Sequence, residues 1–429
     1  MKQARASLSS RSRSRSRSPM MLILFAALMA GAGNGISIVA FPWLVLQRTG
    51  SALDASVVAM AGTLPLLAAT LIAGAAVDFL GRRRVSMISD ALSAVSVAAV
   101  PVLALVFGAD IINVAVLAAL AALGALFDPA GMTARETMLP EAANRAGWTL
   151  DHANSVYEAI FNLAYIVGPG IGGLLIATLG GVNTMWVTAG AFVLSICAIG
   201  VLRLEGAGTP DRAVRAGGVR TGIVEGLRFV WNNRVLRTLA FVDLAATGLF
   251  MPMESVLFPK YFTDRDEPVQ LGWVLMALSI GGLVGALSYV VISKYMRRRT
   301  VMLTAVLTLG VAMTVIAFLP PLPVILLLCV VVGFVYGPIA PIYNYVMQTR
   351  APQHLRGRVV GVMGSLAYAA GPLGLILAGP LADAAGLHTT FLALSLPMLM
   401  LGIVAVFLPA LRDLDEPLRD LDEPLPTPP

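Results

Sequence analysis

Twelve long apolar runs alternate along this chain with short charged connections. They cover residues 20–46, 57–79, 85–107, 112–132, 155–179, 185–202, 239–258, 271–293, 301–319, 323–347, 359–381 and 389–408. Each approaches the roughly 20 residues a helix needs to cross about 30 Å of hydrocarbon. Inside a bilayer every backbone polar group must be satisfied within the segment, which restricts such runs to helices. The pattern predicts an all-α membrane protein with twelve transmembrane helices. Composition agrees: 58% of residues are hydrophobic and only 13% charged, against about 25% charged in soluble domains.

The net charge of +6 sits between the runs rather than on one continuous patch, so a nucleic-acid partner is not expected. Cys197 and Cys329 lie in separate apolar runs, and His152, His354 and His388 are scattered. This arrangement offers neither a disulfide framework nor a metal cluster. The sequence contains no phosphate-binding glycine loop ahead of a soluble domain and no Ser/His/Asp constellation, and the connection 205–237 is too short for a catalytic domain. An enzyme is not expected, and no cofactor is called for.

The basic residues fall on alternate connections. One set holds the N-terminal arm, Arg82–Arg84, Arg135, Arg145, the 203–237 stretch, Lys294, Arg297–Arg299, Arg350, Arg356 and Arg358; the other holds Arg48, Lys260 and Arg265. By the positive-inside bias both termini face the cytoplasm, across a bacterial inner membrane. Five regions follow. Residues 1–19 form a disordered Arg/Ser arm able to touch anionic membrane lipids. Residues 20–203 form a first six-helix bundle and 239–409 a second. Residues 204–238 form a linker in which Ile223, Leu227, Val230 and Trp231 recur at helical spacing, as in an amphipathic helix on the membrane surface. Residues 410–429 form a disordered acidic tail.

The two halves echo each other. Gly-Arg-Arg-Arg-Val-Ser-Met at 81–87 matches Met-Arg-Arg-Arg-Thr-Val-Met at 296–302, Ala-Tyr-Ile-Val-Gly-Pro at 164–169 matches Ala-Tyr-Ala-Ala-Gly-Pro at 367–372, and Phe-Asp-Pro at 127–129 matches Tyr-Gly-Pro at 336–338. Two pseudo-symmetric six-helix bundles are the architecture of rocking transporters.

Ionisable groups inside spans are expensive and therefore informative. Asn154, Glu158, Asn162 and Tyr165 share a helical face in the fifth span, and the expectation is that this stripe faces the interior. Asp243, Thr247, Phe250 and Glu254 mark the seventh span, with Pro252 able to kink it. Glu254, Glu158 and Asp243 are the proton-coupling candidates. Asp128, one heptad before Arg135, reads as its salt-bridge partner, and Asp90 as a structural group near Arg82–Arg84. Asn34 and Phe41 in the first span, and Tyr336 and Tyr343 in the tenth, either line a cavity for an amphiphilic ligand or bond helix to helix. Trp43, Trp186 and Trp273, at the ends of spans, read as interfacial anchors.

Gly74-Ala-Ala-Val-Asp78-Phe-Leu-Gly81-Arg82-Arg83-Arg84 resembles the signature between helices two and three of the major facilitator superfamily, with Phe79 where Arg is usual. The resemblance implies a charge relay through Asp78 and Arg82 that locks the cytoplasmic gate, with the start of the eleventh span at Arg356 and Arg358 as its partner. Gly74 and Gly81 supply close approach and a tight turn. Gly168-Pro169-Gly170-Ile171-Gly172-Gly173 resembles the core of the antiporter signature of drug–proton antiporters, with Ser155 and Ala164 in place of the upstream glycines. Phe-Asp-Pro, Gly-Pro and Arg-Gly-Arg-Val resemble the branch that holds macrolide and siderophore exporters. The resemblance implies proton-driven export of tetracycline- or aminoglycoside-like antibiotics by a monomer, with small-molecule drugs, protons and membrane lipids as partners. The Asn34 position is often acidic in relatives, and Asn34 cannot titrate. Two other readings stand beside it: an exporter or importer of one physiological solute such as a siderophore or lipid, and a membrane enzyme or scaffold.

Overall fold

The computed structural model describes residues 17–204, 219–352 and 355–415. The arm before residue 17, the linker stretch 205–218 and the tail from residue 416 lie outside the described residues.

The first half holds α1 Ser18–Thr49, α2 Ala52–Leu80, α3 Arg82–Phe107, α4 Val114–Ala125, α5 Asp128–Ala146, α6 Leu150–Leu179 and α7 Gly181–Val201. After α8, Val219–Asn232, the second half holds α9 Arg234–Pro252, α10 Phe258–Thr263, α11 Pro268–Tyr295, α12 Arg298–Ala317, α13 Leu322–Tyr336, α14 Ile339–Arg350, α15 Arg356–Ala385 and α16 Leu387–Phe407. Twelve spans among them are long and apolar enough to cross a membrane; α4 with α5, α9 with α10, and α13 with α14 each make one. The protein is a multi-pass membrane protein.

Local chemistry explains the joints. Gly81 alone separates α2 from α3, and its φ of 86° is a conformation that glycine adopts without strain. Spans four and ten break at Phe127 and at Gly337–Pro338, the repeated Phe-Asp-Pro and Tyr-Gly-Pro sites. A proline has no N–H to continue a helix but suits the start of a new one. Span seven breaks differently. Pro252 cannot donate to the Gly248 carbonyl, and the chain passes through one π-helical turn, Met253–Leu257, in which Phe258 N–H reaches back five residues to Met253 O. The freed Gly248 carbonyl presses on α15, where a Cβ on Gly374 would overlap it. Pro252 thus does more than kink the span.

The halves meet along two helix pairs, α2 with α15 and α6 with α11. The closest approaches lie at the end opposite the basic connections. A Cβ on Gly173 would collide with Pro268 O, and one on Gly272 would come 2.6 Å from Pro169 O. On the other flank of α6, a Cβ on Gly168 would lie 2.7 Å from Gly35 Cα, and one on Gly172 3.2 Å from Ile36 Cα. The segment Gly168, Pro169, Gly172, Gly173 is therefore clasped between α1 of its own half and α11 of the other. Small residues allow backbones to approach this closely. At the same end Asp383 of α15 caps α2: its carboxylate accepts from Ala52 N at 2.8 Å, Leu53 N at 2.9 Å and Ser51 Oγ at 2.7 Å.

α8 exists as the linker's periodicity predicts, but it is docked rather than free. Gly226 and Val230 are buried, a Cβ on Gly226 would sit 2.9 Å from Arg358 O, and Glu225 pairs with Arg358. Val224, Leu227 and Trp231 remain exposed on the other side. Trp186 and Trp273 are exposed at span ends, whereas Trp43 is 1% exposed and packs beside Gly181, so it is a core residue and not an interfacial anchor.

Candidate functional site

Between the halves lies a cavity of about 630 Å³. The broken spans build much of it. The break in span four puts Asp128 at the first position of α5, where a carboxylate is favoured by the free N–H groups of a helix start. The break in span ten ends α13 at Tyr336, which also lines the cavity. The π-helical turn of span seven delivers Glu254. Asn34, Ser37 and Phe41 of α1, Tyr165 of α6, Thr247 and Phe250 of α9, and Tyr368 of α15 are among its other polar and aromatic lining residues. Tyr165 and Tyr368 are repeat equivalents, so the duplication supplies one ring from each half.

The two cavity carboxyls differ. Asn34 donates Nδ2–H to Asp128 Oδ1 at 3.1 Å. Glu254 makes no hydrogen bond or ion pair with any described residue. Among the described residues, no lysine, arginine or histidine belongs to the lining. Unpaired charge in apolar surroundings is costly, and a proton or an organic cation relieves it.

Arg135 is not the partner of Asp128. It pairs with Asp90 at 3.0 Å, both side chains being almost fully buried, while Ser195 Oγ donates to Asp90 Oδ2 at 2.6 Å and Ser86 lies at 3.4 Å from Arg135. The cation of Asp90 is thus Arg135 on α5, not the Arg82–Arg84 run. With Arg135 so engaged, Asp128 is free to face the cavity. Spacing alone suggests the salt bridge; the competing carboxylate of Asp90, on α3, decides against it.

Four further candidate residues lie outside the cavity lining. Glu158 is exposed, two turns nearer the basic end than Tyr165, and lies near Glu136 rather than in the cavity lining. Asn162 returns its Nδ2–H to the Glu158 carbonyl of its own helix at 2.8 Å and does not line the cavity either. Tyr343 is buried and donates its hydroxyl to Leu239 O at 2.9 Å, binding α14 to α9. An i–4 carbonyl is always within reach of a helical Asn, which is why a polar stripe need not face a cavity. Asp243 is half-buried on α9 near Tyr336 and Tyr343, outside the lining.

At the basic end, the side chains of Asp78 and Arg356 lie outside the described residues. Arg82 donates to Thr137 O at 2.8 Å within its own half, and Arg358 pairs with Glu225 of α8. In this conformation neither of these arginines bridges the two halves.

The sequence matches the family model Major Facilitator Superfamily over residues 23–375. The chain belongs to the major facilitator superfamily. It is 84% identical over 392 residues to the multidrug efflux pump Tap of Mycolicibacterium fortuitum, covering 91% of this chain and 96% of that one. It is 70% identical to Tap of Mycobacterium tuberculosis strain H37Rv, covering 91% and 94%. The macrolide efflux protein A of Streptococcus pyogenes is 23% identical, covering 90% and 96%. The crystal structure of the nucleoside transporter NupG superposes with a TM-score of 0.72 at 13% identity, covering 91% of this chain and 98% of that one. At that identity the likeness concerns fold alone. Family and fold are those of membrane transporters, not of enzymes.

Proposed function

We propose that this superfamily member is a proton-coupled multidrug efflux antiporter of the bacterial inner membrane, exporting amphiphilic, tetracycline- or aminoglycoside-like drugs by alternating access. The observation that carries the reading is Glu254: a carboxyl without a partner among the described residues, set in a π-helical turn on the wall of a large, mostly apolar cavity whose described lining holds no basic group. Such turns recur at functional sites. Relatives named as a multidrug efflux pump and a macrolide efflux protein support drug export.

In this reading the basic end faces the cytoplasm, with both termini there. The Asp383 cap and the α6–α11 seam then close the outer end, and a drug enters from the cytoplasmic side. It meets aromatic rings for its apolar body and Asp128 and Glu254 for its charge. Rocking of the halves opens the outer end, where Glu254 exchanges drug for proton. Asp128, hydrogen-bonded to Asn34, supplies the second carboxyl. Each chain encloses a complete cavity, so one chain is the transport unit. A permease for one polar solute would need polar groups converging on a compact site, whereas this lining is broad and mostly apolar.

The test is drug transport in proteoliposomes under an imposed pH gradient. Glu254→Gln keeps shape and removes titration. The expected result is retained drug binding, no accumulation against a gradient, and residual flux indifferent to ΔpH. A variant that responds to ΔpH like the parent refutes the assignment.

A further inference from the structure

A second concavity, of about 560 Å³, lies where α11 turns into α12. Its walls carry Lys294, Arg297, Arg298 and Arg412 against one carboxylate, Asp415. Lys294, Arg297 and Arg412 are exposed, and none makes a hydrogen bond or ion pair with any described residue. Arg298 is fixed in place, its guanidinium 3.8 Å from the Tyr345 ring centroid and its backbone N–H donating to Asp415 Oδ1 at 2.9 Å. Three cations without a partner among the described residues, held around a hollow at a helix start, form a receptor for an anion with several oxygens.

A second feature leads into this hollow. Trp273, Ile280, Val284, Leu287, Val291 and Tyr295 are all exposed. At 100° per residue they fall within about 80° of one another around α11. The cavity residues Leu278 and Gly282 lie on the opposite side of the same helix. This stripe therefore faces lipid. From Trp273 to Tyr295 it rises roughly 33 Å, close to the hydrocarbon thickness, with an aromatic ring at each end. Tyr295, 84% exposed, stands at the lip of the basic hollow.

We propose that this hollow binds the phosphate headgroup of an anionic phospholipid whose acyl chains lie along the exposed stripe of α11. The headgroup chemistry by itself would suit free phosphate equally. The continuous apolar track from the hollow to the far side of the membrane selects the lipid. The inference is independent of the proton and drug assignments, because the hollow and the cavity share no residue.

The test is native mass spectrometry of the full-length protein released from detergent. The probes are phosphatidylglycerol, phosphatidylcholine and inorganic phosphate, each added separately to the parent and to Lys294→Gln/Arg297→Gln/Arg412→Gln. A basic residue near an anionic membrane surface contributes about fivefold in affinity, so losing three predicts a loss on the order of a hundredfold for the tightest phosphatidylglycerol adduct. The weaker phosphatidylcholine adducts should be unchanged, and millimolar phosphate should neither bind nor displace the lipid. Thermal unfolding monitored in parallel identifies a folding defect. A single-site Arg412→Gln, at a position beyond the last membrane span, then replaces the triple variant, with a loss of about fivefold expected. Phosphatidylglycerol binding equal in variant and parent overturns the proposal. So does displacement of the lipid by inorganic phosphate, which would make the hollow a site for a soluble anion.

Discussion

Replacing Asp383 by Ala tests what holds the two halves together at the end opposite the basic loops. Its carboxylate takes three hydrogen bonds from the start of α2: two from backbone N–H groups and one from the Ser51 hydroxyl, across 332, 331 and 330 positions of sequence. Ser51 in turn accepts from Asp54 N at 3.1 Å, so Asp383 is a second cap on a helix that already has one. A buried carboxylate with three such bonds would be worth several kcal/mol. Asp383 is exposed, and water replaces part of what is lost. The measured cost of losing a helix cap is about 1 kcal/mol, and a charge near a helix start adds roughly 0.3–1 kcal/mol. The sum is about 1–2 kcal/mol, which shifts a two-state equilibrium roughly five- to thirtyfold. Because the bond spans the halves, that shift falls on the balance between closed and open forms at this end. The assay is the distance between spin labels at Gln47 of the first half and Ala385 of the second, in a background lacking Cys197 and Cys329. The parent should give one short distance and Asp383→Ala a second, longer population. Asp383→Asn, which keeps one acceptor oxygen, should fall between them. Identical distance distributions in all three would refute the idea that this cap is a latch.

Other consequences can be measured on the same preparations. Arg135→Leu strands Asp90 in the core of the first half and should cost about 3–5 kcal/mol, read as a large drop in thermal unfolding temperature; restoring part of that loss in Asp90→Asn/Arg135→Leu would confirm that the pair is the cause. Glu225→Gln removes a pair whose side chains are 42% and 49% exposed, so its effect on unfolding should stay within about 1 kcal/mol. Gly173→Val places a side chain against Pro268 O and should hold the α6–α11 seam apart, abolishing transport while membrane insertion is normal; unaltered transport would show that the seam does not need to close. Gly374→Ala forces α15 off the Gly248 carbonyl and should misplace Glu254, lowering drug accumulation severalfold at unchanged expression.

Much of the site could be read before folding. The glycine run in span five and the paired Phe-Asp-Pro and Tyr-Gly-Pro sites are backbone features, and backbone chemistry is local: a proline breaks a helix wherever it stands. Side-chain pairing is not local. Asp128 and Arg135 lie one heptad apart, and spacing joins them, yet Asp90 from another helix takes the arginine and leaves the aspartate to the cavity. Glu158 and Asn162 share a face with Tyr165, but of the three only Tyr165 lies at the level of the cavity.

The sequence by itself determined the number of spans, the duplication and the proline that interrupts span seven. Those follow from hydropathy, internal repetition and the missing N–H of proline, each a property of a short stretch of chain. Only the tertiary structure decided which carboxyl goes unpaired and which end of the molecule is closed. Both depend on the rotation and separation of helices far apart in sequence, where a few ångströms settle whether Asp383 reaches α2 and whether Glu254 finds a partner.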